Sequence, residues 1–207
     1  MLKPIATATR ELVRLDGLWR FALDEAATPE PWSAELATSL EAPVPASYND
    51  VFADQAIHDH VGWVWYQRTA RVPRGWAGER IVLRVDAATH EGVVYVDGAK
   101  VAEHVGGYTP FEADITELAQ PGEEIRITIG VNNELTNETI PPGMITITEA
   151  GRRKQGYRHD FYNYAGLARS VILYSVPETR VTDLTVTTDV DGALGVVDYR
   201  VKTSVEA

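Results

Sequence analysis

Apolar and polar residues alternate along most of this chain, and this period of two constrains the fold more than any other feature. Residues 19–23 carry Trp, Phe and Leu at every second position, and residues 125–131 carry Ile, Ile, Ile and Val in the same way. Successive side chains of a strand point to opposite faces of a sheet, so each segment predicts a strand with one buried face. Many short strands separated by Pro and Gly predict an all-β sandwich or jelly roll, not a parallel sheet.

Three local patterns complete the prediction of secondary structure. Asp97-Gly98 lies between two alternating runs and predicts a tight hairpin turn, because this dipeptide readily adopts positive φ angles. Residues 31–36 predict a short helix, and residues 115–118 predict a turn. Helical patterns are otherwise scarce.

Composition excludes several classes of partner. The chain has 207 residues, of which 44% are hydrophobic, and this is enough to bury a sizeable core. The net charge of -11 repels phosphate backbones and anionic lipid heads, so neither nucleic acid nor a membrane surface is an expected partner. Without cysteine, the chain can form neither a disulfide nor a thiolate metal site. The sequence shows no signal-peptide core and no apolar run of membrane-spanning length, so a cytoplasmic location is expected.

Residues 157–171 place one carboxylate and one imidazole among aromatic rings, and Gly166 comes shortly before a predicted strand. Aromatic rings offer apolar faces to a pyranose, and a carboxylate can accept hydrogen bonds from two adjacent hydroxyl groups. Asp160 is therefore a candidate sugar ligand. The same pattern also fits a buried aromatic loop in which Asp160 caps a turn, and the residues alone favour this turn cap.

Eight segments spread over nearly the whole chain share a pattern with one known family. They are Thr9–Glu11, Leu15–Trp19, Val64–Arg68, Gly75–Gly78, Gly106–Asp114, Val131–Leu135, Thr139–Met144 and Tyr157–Val171. In this order they resemble the amino-terminal domain of family 2 glycoside hydrolases, and within that family they are most similar to β-glucuronidases. Single pieces such as Thr109–Glu112 are moderately specific, whereas the ordered set is highly specific.

The resemblance implies a division of the chain into two parts. Residues 1–180 are expected to form a galactose-binding-domain-like jelly roll, and residues 181–207 the first strands of a truncated immunoglobulin-like domain. In the second part, 181–188 and 196–205 alternate as two strands joined by residues 189–193, and two strands cannot bury a core alone. The catalytic (β/α)8 barrel, which needs about 250 residues, is expected outside this sequence.

The resemblance also implies the function and the site. The parent reaction is retaining hydrolysis of β-D-glucuronides, which uses no cofactor and no metal, and the chain alone is expected to be inactive. Asp160 is expected to contact substrate hydroxyl groups, while His159, Asn163 and Tyr164 support the loop. We assign no catalytic residue here, because the family carries its two glutamates on the barrel. The sequence departs from the commoner family pattern at 167–169, which we expect to affect packing more than sugar contact.

The expected partners are a β-glucuronide, the barrel domain of the same protein and further copies of the chain in a homo-oligomer. Two other functions remain open. A stand-alone carbohydrate-binding module or lectin is one, because jelly rolls host many binding functions. The same domain of a β-galactosidase or β-mannosidase is the other.

Three further clusters have ordinary explanations that we favour. His58-Asp59-His60 lacks a third metal ligand at a defined spacing, so we expect an exposed loop. The basic residues 152–154 predict a solvated loop, although their positive potential could also steer an anionic glucuronide. The glycosylation sequon at 137–139 is interpreted as chance.

Three tryptophans, Trp63, Trp65 and Trp76, could act as sugar platforms. Core packing is the more frequent role of such rings in a sandwich, and we favour it for all three.

Overall fold

The computed structural model describes residues 3–24, 29–191 and 194–204. The described residues form fourteen strands, two four-residue helices and a 3-10 turn at Arg74–Trp76. The strands are β1 Leu12–Arg14, β2 Gly17–Leu23, β3 Glu41–Val44, β4 Trp63–Arg71, β5 Arg80–Val85, β6 Glu91–Val96, β7 Ala99–Val105, β8 Phe111–Asp114, β9 Glu124–Asn132, β10 Gly143–Ile147, β11 Arg153–Tyr157, β12 Val171–Val176, β13 Arg180–Asp191 and β14 Leu194–Ser204. The helices are α1 Tyr48–Val51 and α2 Gln55–His58. Across the described ranges, no helix is long and apolar enough to cross a membrane.

Two antiparallel sheets face each other across one hydrophobic core. The larger sheet has the order β3-β2-β4-β9-β6-β7, and the smaller has the order β1-β12-β5-β8. The largest fully buried side chains come from both sheets and from the segments between them. They are Trp19, Trp76, Tyr48, Tyr66, Phe21, Ile81, Leu83, Ile115, Ile125, Ile127, Ile129 and Leu135. Burying an aliphatic or phenyl side chain contributes about 1.5–3 kcal/mol, so this core supplies most of the stabilisation. The two facing sheets confirm the predicted all-β sandwich.

The alternating segments form strands as predicted. Trp19 and Phe21 of β2 point into the core, and the apolar residues of β9 are all at most 2% exposed. The opposite face of β9 is covered as well, because Thr128 is buried and accepts a hydrogen bond from Gln67 Nε2 at 3.0 Å.

The short helix predicted over 31–36 is wrong. These residues form a turn and an extended segment, and their backbone groups bond to one side chain of β4. Gln67 Oε1 accepts from the Leu36 N–H at 2.7 Å, and Gln67 Nε2 donates to the Ala34 carbonyl at 2.8 Å. A side chain from the sheet therefore satisfies the groups that a helix would have paired internally.

Both predicted turns are confirmed. Asp97 and Gly98 have φ angles of 48° and 90°, and they join β6 to β7 in a tight hairpin. The Leu118 N–H donates to the Ile115 carbonyl at 2.9 Å, which closes the turn after β8.

Among the described residues, β13 and β14 pair only with each other and form a separate two-stranded sheet. Residues 189–191, predicted to belong to the connection, extend β13 instead; 192–193 and 205–207 lie outside the described residues. Leu184 pairs with Val201 and Val186 pairs with Tyr199 across the strands, and each of these side chains is about half exposed or more. One face of this hairpin is therefore apolar and open.

Candidate functional site

The loop that carries Asp160 follows β11 and ends at the residues that lead into β12. Its carboxyl-terminal end is tied to two distant segments. The Thr89 N–H donates to the Gly166 carbonyl at 3.0 Å, and the Ala165 N–H donates to Ser47 Oγ at 2.9 Å and to Asn49 Oδ1 at 3.2 Å. These bonds fix the base of the loop against the sandwich.

Gly166 closes the loop at a position that only glycine can occupy. Its φ angle is +97°, in the region that L side chains rarely adopt. A Cβ atom there would overlap the Tyr66 hydroxyl group and would lie 2.9 Å from Tyr48 Cδ1. The glycine therefore lets the backbone pass directly over two buried tyrosines.

Asn163 is 2% exposed and is bonded through both its side chain and its backbone. Its Oδ1 accepts a hydrogen bond from His90 Nε2 at 2.7 Å, and its carbonyl accepts from Asn49 Nδ2 at 2.8 Å. Its own Nδ2 points to the Asn133 carbonyl at 3.5 Å. The structure thus places Asn163 inside the protein and not on the loop surface.

His90 is the donor in this contact. An amide oxygen only accepts, so the proton of the imidazole lies on Nε2. Burial lowers the pKa of His90, while the hydrogen bond to Asn163 acts in the opposite direction. Within the described part of the chain, His90 Nδ1 is buried without a hydrogen-bond partner. A Cβ atom at Gly107 would lie only 2.7 Å from this nitrogen.

Asn133 extends the buried polar network to the first helix. Its Nδ2 donates to the Tyr48 hydroxyl and to the His60 carbonyl, both at 2.8 Å. Its Oδ1 accepts from the Gly62 N–H at 2.9 Å. Sequence reasoning assigned no role to this residue or to Asn49 and His90. The sequence indicated this only in part, through two adjacent amide residues: Asn132, the last residue of β9, and Asn133, which follows it.

Asp160 lies at the exposed tip of the loop. No described residue forms a hydrogen bond or an ion pair with its carboxylate, so no turn is capped by it there. His159 packs between Phe161 and Tyr157, with ring centroids 4.2 and 5.3 Å away. Phe161, Tyr157 and Tyr164 are each about half exposed. The loop therefore presents a free carboxylate together with exposed aromatic rings.

Tyr164 and Tyr162 contact each other edge to face, with their centroids 5.1 Å apart. The Tyr162 hydroxyl donates to the Asn49 carbonyl at 3.0 Å and lies 3.2 Å from His58 Nε2. A second anchor therefore lies two residues after Asp160.

The residues of the triplet at 58–60 contact different groups. His58 Nδ1 lies 2.7 Å from Asp59 Oδ1, and this hydrogen bond lowers the pKa of Asp59. His60 Nε2 lies 2.9 Å from the Trp63 carbonyl. Across the described ranges, no group of three or more His, Cys, Asp or Glu residues could hold a metal ion.

The basic residues 152–154 also have different environments. Arg153 pairs with Glu134 at 2.6 Å and donates to the Val61 carbonyl at 3.2 Å, so it ties β11 to the sandwich. Arg152 and Lys154 are exposed on either side of it. In the sequon, Asn137 is also exposed.

The tryptophans have different environments. Trp76 is fully buried in the core and donates from Nε1 to Glu11 Oε2 at 2.8 Å. Trp65 is buried on the outer face of the larger sheet, where it covers Gly130. Trp63 is partly exposed beside it, at a centroid distance of 6.2 Å.

The sandwich and its aromatic loop match the sugar-binding domain of a known family. The profile of glycosyl hydrolases family 2, sugar binding domain, matches residues 12–177. The chain belongs to this family.

Relatives and solved structures agree with this assignment. A β-glucuronidase of Paenibacillus borealis is 48% identical over 99% of this chain, and the human β-glucuronidase is 41% identical over 97%. A Ruminococcus gnavus β-glucuronidase in complex with D-glucuronic acid superposes with a TM-score of 0.90, at 35% identity over 99% of the chain. The chain spans 36%, 34% and 36% of the length of these three proteins, or about a third.

Proposed function

We propose that this chain is the amino-terminal sugar-binding domain of a retaining β-glucuronidase, and that Asp160 contacts the sugar. The observation that carries the proposal is the free carboxylate of Asp160 on a loop whose base is fixed by buried amides. The relatives named β-glucuronidase and the R. gnavus complex with D-glucuronic acid support this class of substrate. They favour a glucuronide over a galactoside or a mannoside.

The chemistry of the site sets which part of the sugar Asp160 meets. A glucuronide carries its own carboxylate, and two like charges at short distance repel each other. Asp160 therefore accepts hydrogen bonds from ring hydroxyl groups, and cationic groups elsewhere bind the glucuronate carboxylate. Exposed rings such as Tyr157 and Phe161 offer apolar surface to the sugar ring.

The proposed domain organisation keeps a jelly roll over 1–180 and the first strands of an immunoglobulin-like domain over 181–207. Support comes from the β13–β14 hairpin, which forms its own sheet. Its apolar cross-strand pairs, such as Leu184 with Val201, are exposed in this chain. Such a face needs further strands to cover it.

The proposed partners are the catalytic barrel of the same protein and further copies of that protein in a homo-oligomer. The proposed location is the cytoplasm, which agrees with the absence of cysteine. Light scattering after size exclusion measures the assembly, and fractionation of cells measures the location.

The test of substrate contact is Asp160→Ala in the full-length protein. Loss of charged hydrogen bonds to hydroxyl groups in a partly desolvated site costs roughly 2 to 4 kcal/mol in kcat/KM. This corresponds to about a thirtyfold to thousandfold decrease, with little change in Tm because the residue is exposed. Asp198→Ala removes an exposed carboxylate from β14 and serves as the matched control.

Two results would contradict the proposal. A decrease in Tm of several degrees with near-normal kcat/KM shows that Asp160 is structural. Micromolar binding of glucuronic acid or oligosaccharides by the 207-residue chain alone, measured by calorimetry, favours a stand-alone binding module.

A further inference from the structure

We propose that His90 is a positioning residue for substrate contact: its Nε2–H bond to Asn163 sets where the loop holds the Asp160 carboxylate. This inference rests on the proposed function of Asp160 as a sugar ligand. It adds a residue that lies seventy-three positions from its partner in sequence and does not touch the sugar.

The backbone of His90 is part of the sandwich and not of the loop. Its N–H donates to the Asn132 carbonyl at 2.6 Å, and its carbonyl accepts from the Gly106 N–H at 3.0 Å. Glu91, the next residue, begins β6, which pairs with β9. The imidazole is therefore carried by the rigid larger sheet.

The ring has one orientation available. Gly107 packs against Nδ1, and the Tyr108 ring lies edge-on at a centroid distance of 5.8 Å with an interplanar angle of 74°. Rotating the ring by half a turn about the Cβ–Cγ bond would place Cε1 where Nε2 now lies, and that C–H group cannot replace the N–H donor that Asn163 Oδ1 requires. Packing and hydrogen bonding therefore favour the same orientation of the His90 ring.

The contact reaches Asp160 through a short piece of backbone. Asn163 lies three residues after Asp160, and its carbonyl is held by Asn49 Nδ2 at 2.8 Å. The tip of the loop has no such hold, because no described residue bonds to the Asp160 carboxylate. The direction of that carboxylate is therefore set by two residues that follow it: Tyr162, whose hydroxyl donates to the Asn49 carbonyl at 3.0 Å, and Asn163, where His90 acts.

Removing the His90 donor first affects the base of the loop that carries Asp160. With an apolar side chain at position 90, Asn163 Oδ1 would be buried without its donor, and the loop must shift to satisfy it. A displacement of about 1 Å at a reacting or binding group can cost about a hundredfold in rate. His90 therefore affects catalysis through position alone.

The experiment is a double-mutant cycle in the full-length protein. His90→Leu is expected to lower kcat/KM by about tenfold to a hundredfold. His90→Gln, whose amide nitrogen can donate from a similar place, restores most of it. In the Asp160→Ala background, His90→Leu has little further effect, because both changes remove the same contact. His104→Leu is the matched control, since His104 Nε2 bonds to Thr109 Oγ1 at 2.7 Å, outside the loop.

The outcomes separate this inference from the proposed function. If Asp160→Ala lowers kcat/KM while His90→Leu does not, or if the two effects simply multiply, the role of His90 is refuted and substrate contact stands. If Asp160→Ala itself has no effect, substrate contact is refuted, and the inference falls with it.

A spectroscopic measurement keeps the inference testable if His90→Leu fails to fold. Long-range ¹H–¹⁵N spectra of the unmodified protein show which ring nitrogen of His90 carries the proton. A proton on Nε2 is expected from the geometry. A proton on Nδ1 would overturn the inference, because Asn163 Oδ1 would then have no donor.

Discussion

Gly166→Ala is the substitution whose cost follows most directly from the structure. A non-glycine residue at the φ angle of +97° is strained by about 1–2 kcal/mol. The new methyl group would also overlap the Tyr66 hydroxyl and contact Tyr48, and overpacking of this kind costs about 1–3 kcal/mol. The expected loss of unfolding free energy is therefore about 2–5 kcal/mol, or about 4 to 20 °C in Tm for a chain of this size.

A second glycine separates the two contributions. Gly151 has a φ angle of +75°, and a Cβ atom there would meet nothing within 4 Å. Gly151→Ala therefore carries the backbone strain without the collision. Chemical denaturation of both variants, monitored by tryptophan fluorescence and circular dichroism, measures the difference.

We expect Gly166→Ala to lose about 1–3 kcal/mol more than Gly151→Ala. Equal losses would show that the tyrosines move aside without cost, and the close approach of the backbone would then not be a constraint. A Gly166→Ala variant as stable as the unmodified chain would refute both parts of the reasoning.

Three further outcomes are expected. The 207-residue chain should not hydrolyse a chromogenic β-glucuronide above background, because the catalytic carboxylate pair is proposed to lie on the barrel; turnover near about 1 per second would contradict this. In hydrogen exchange, β13 and β14 should be less protected than β9, because a lone hairpin opens easily; equal protection would show that its apolar face is covered. The unfolding free energy should fall as the pH is lowered through about 6.5, because burial lowers the pKa of His90 in the folded state and the unfolded chain binds more protons. Denaturation between about pH 8 and about pH 5 checks this, and the His90→Gln variant should lose that part of the pH dependence, although His159 and Tyr108 still face the site.

Local patterns were enough to predict the elements that local interactions determine. The hairpin at Asp97-Gly98 depends on two adjacent residues that accept positive φ, and both are in the sequence. The helix predicted over 31–36 failed because Gln67, thirty-one residues after Leu36, binds the backbone of that segment. A composition that suits a short helix cannot reveal a partner on another strand.

The same limit explains what was missed at the candidate site. The sequence indicates Asp160 and Asn163, because both lie in one aromatic segment. Asn49 reaches Asn163 across 114 positions, and His90 reaches it across 73. Without the fold, nothing in the sequence distinguishes Asn49 and His90 from ordinary polar residues. The loop could therefore be predicted, but the buried residues that hold its base could not.

The contacts that hold the base of the loop are polar because hydrogen bonds fix the orientation of the loop, more than because they add stability. An apolar side chain at position 163 could fill a similar volume, but dispersion contacts are non-directional and leave the loop several similar arrangements. The buried side-chain amide of Asn163 is costly to leave without its bond to His90, so one arrangement is strongly preferred. The sheet then determines the position of the loop base, while the Asp160 carboxylate at its tip remains unbonded within the described residues. In the proposed contact, a sugar hydroxyl meets an acceptor that has no internal bond to break.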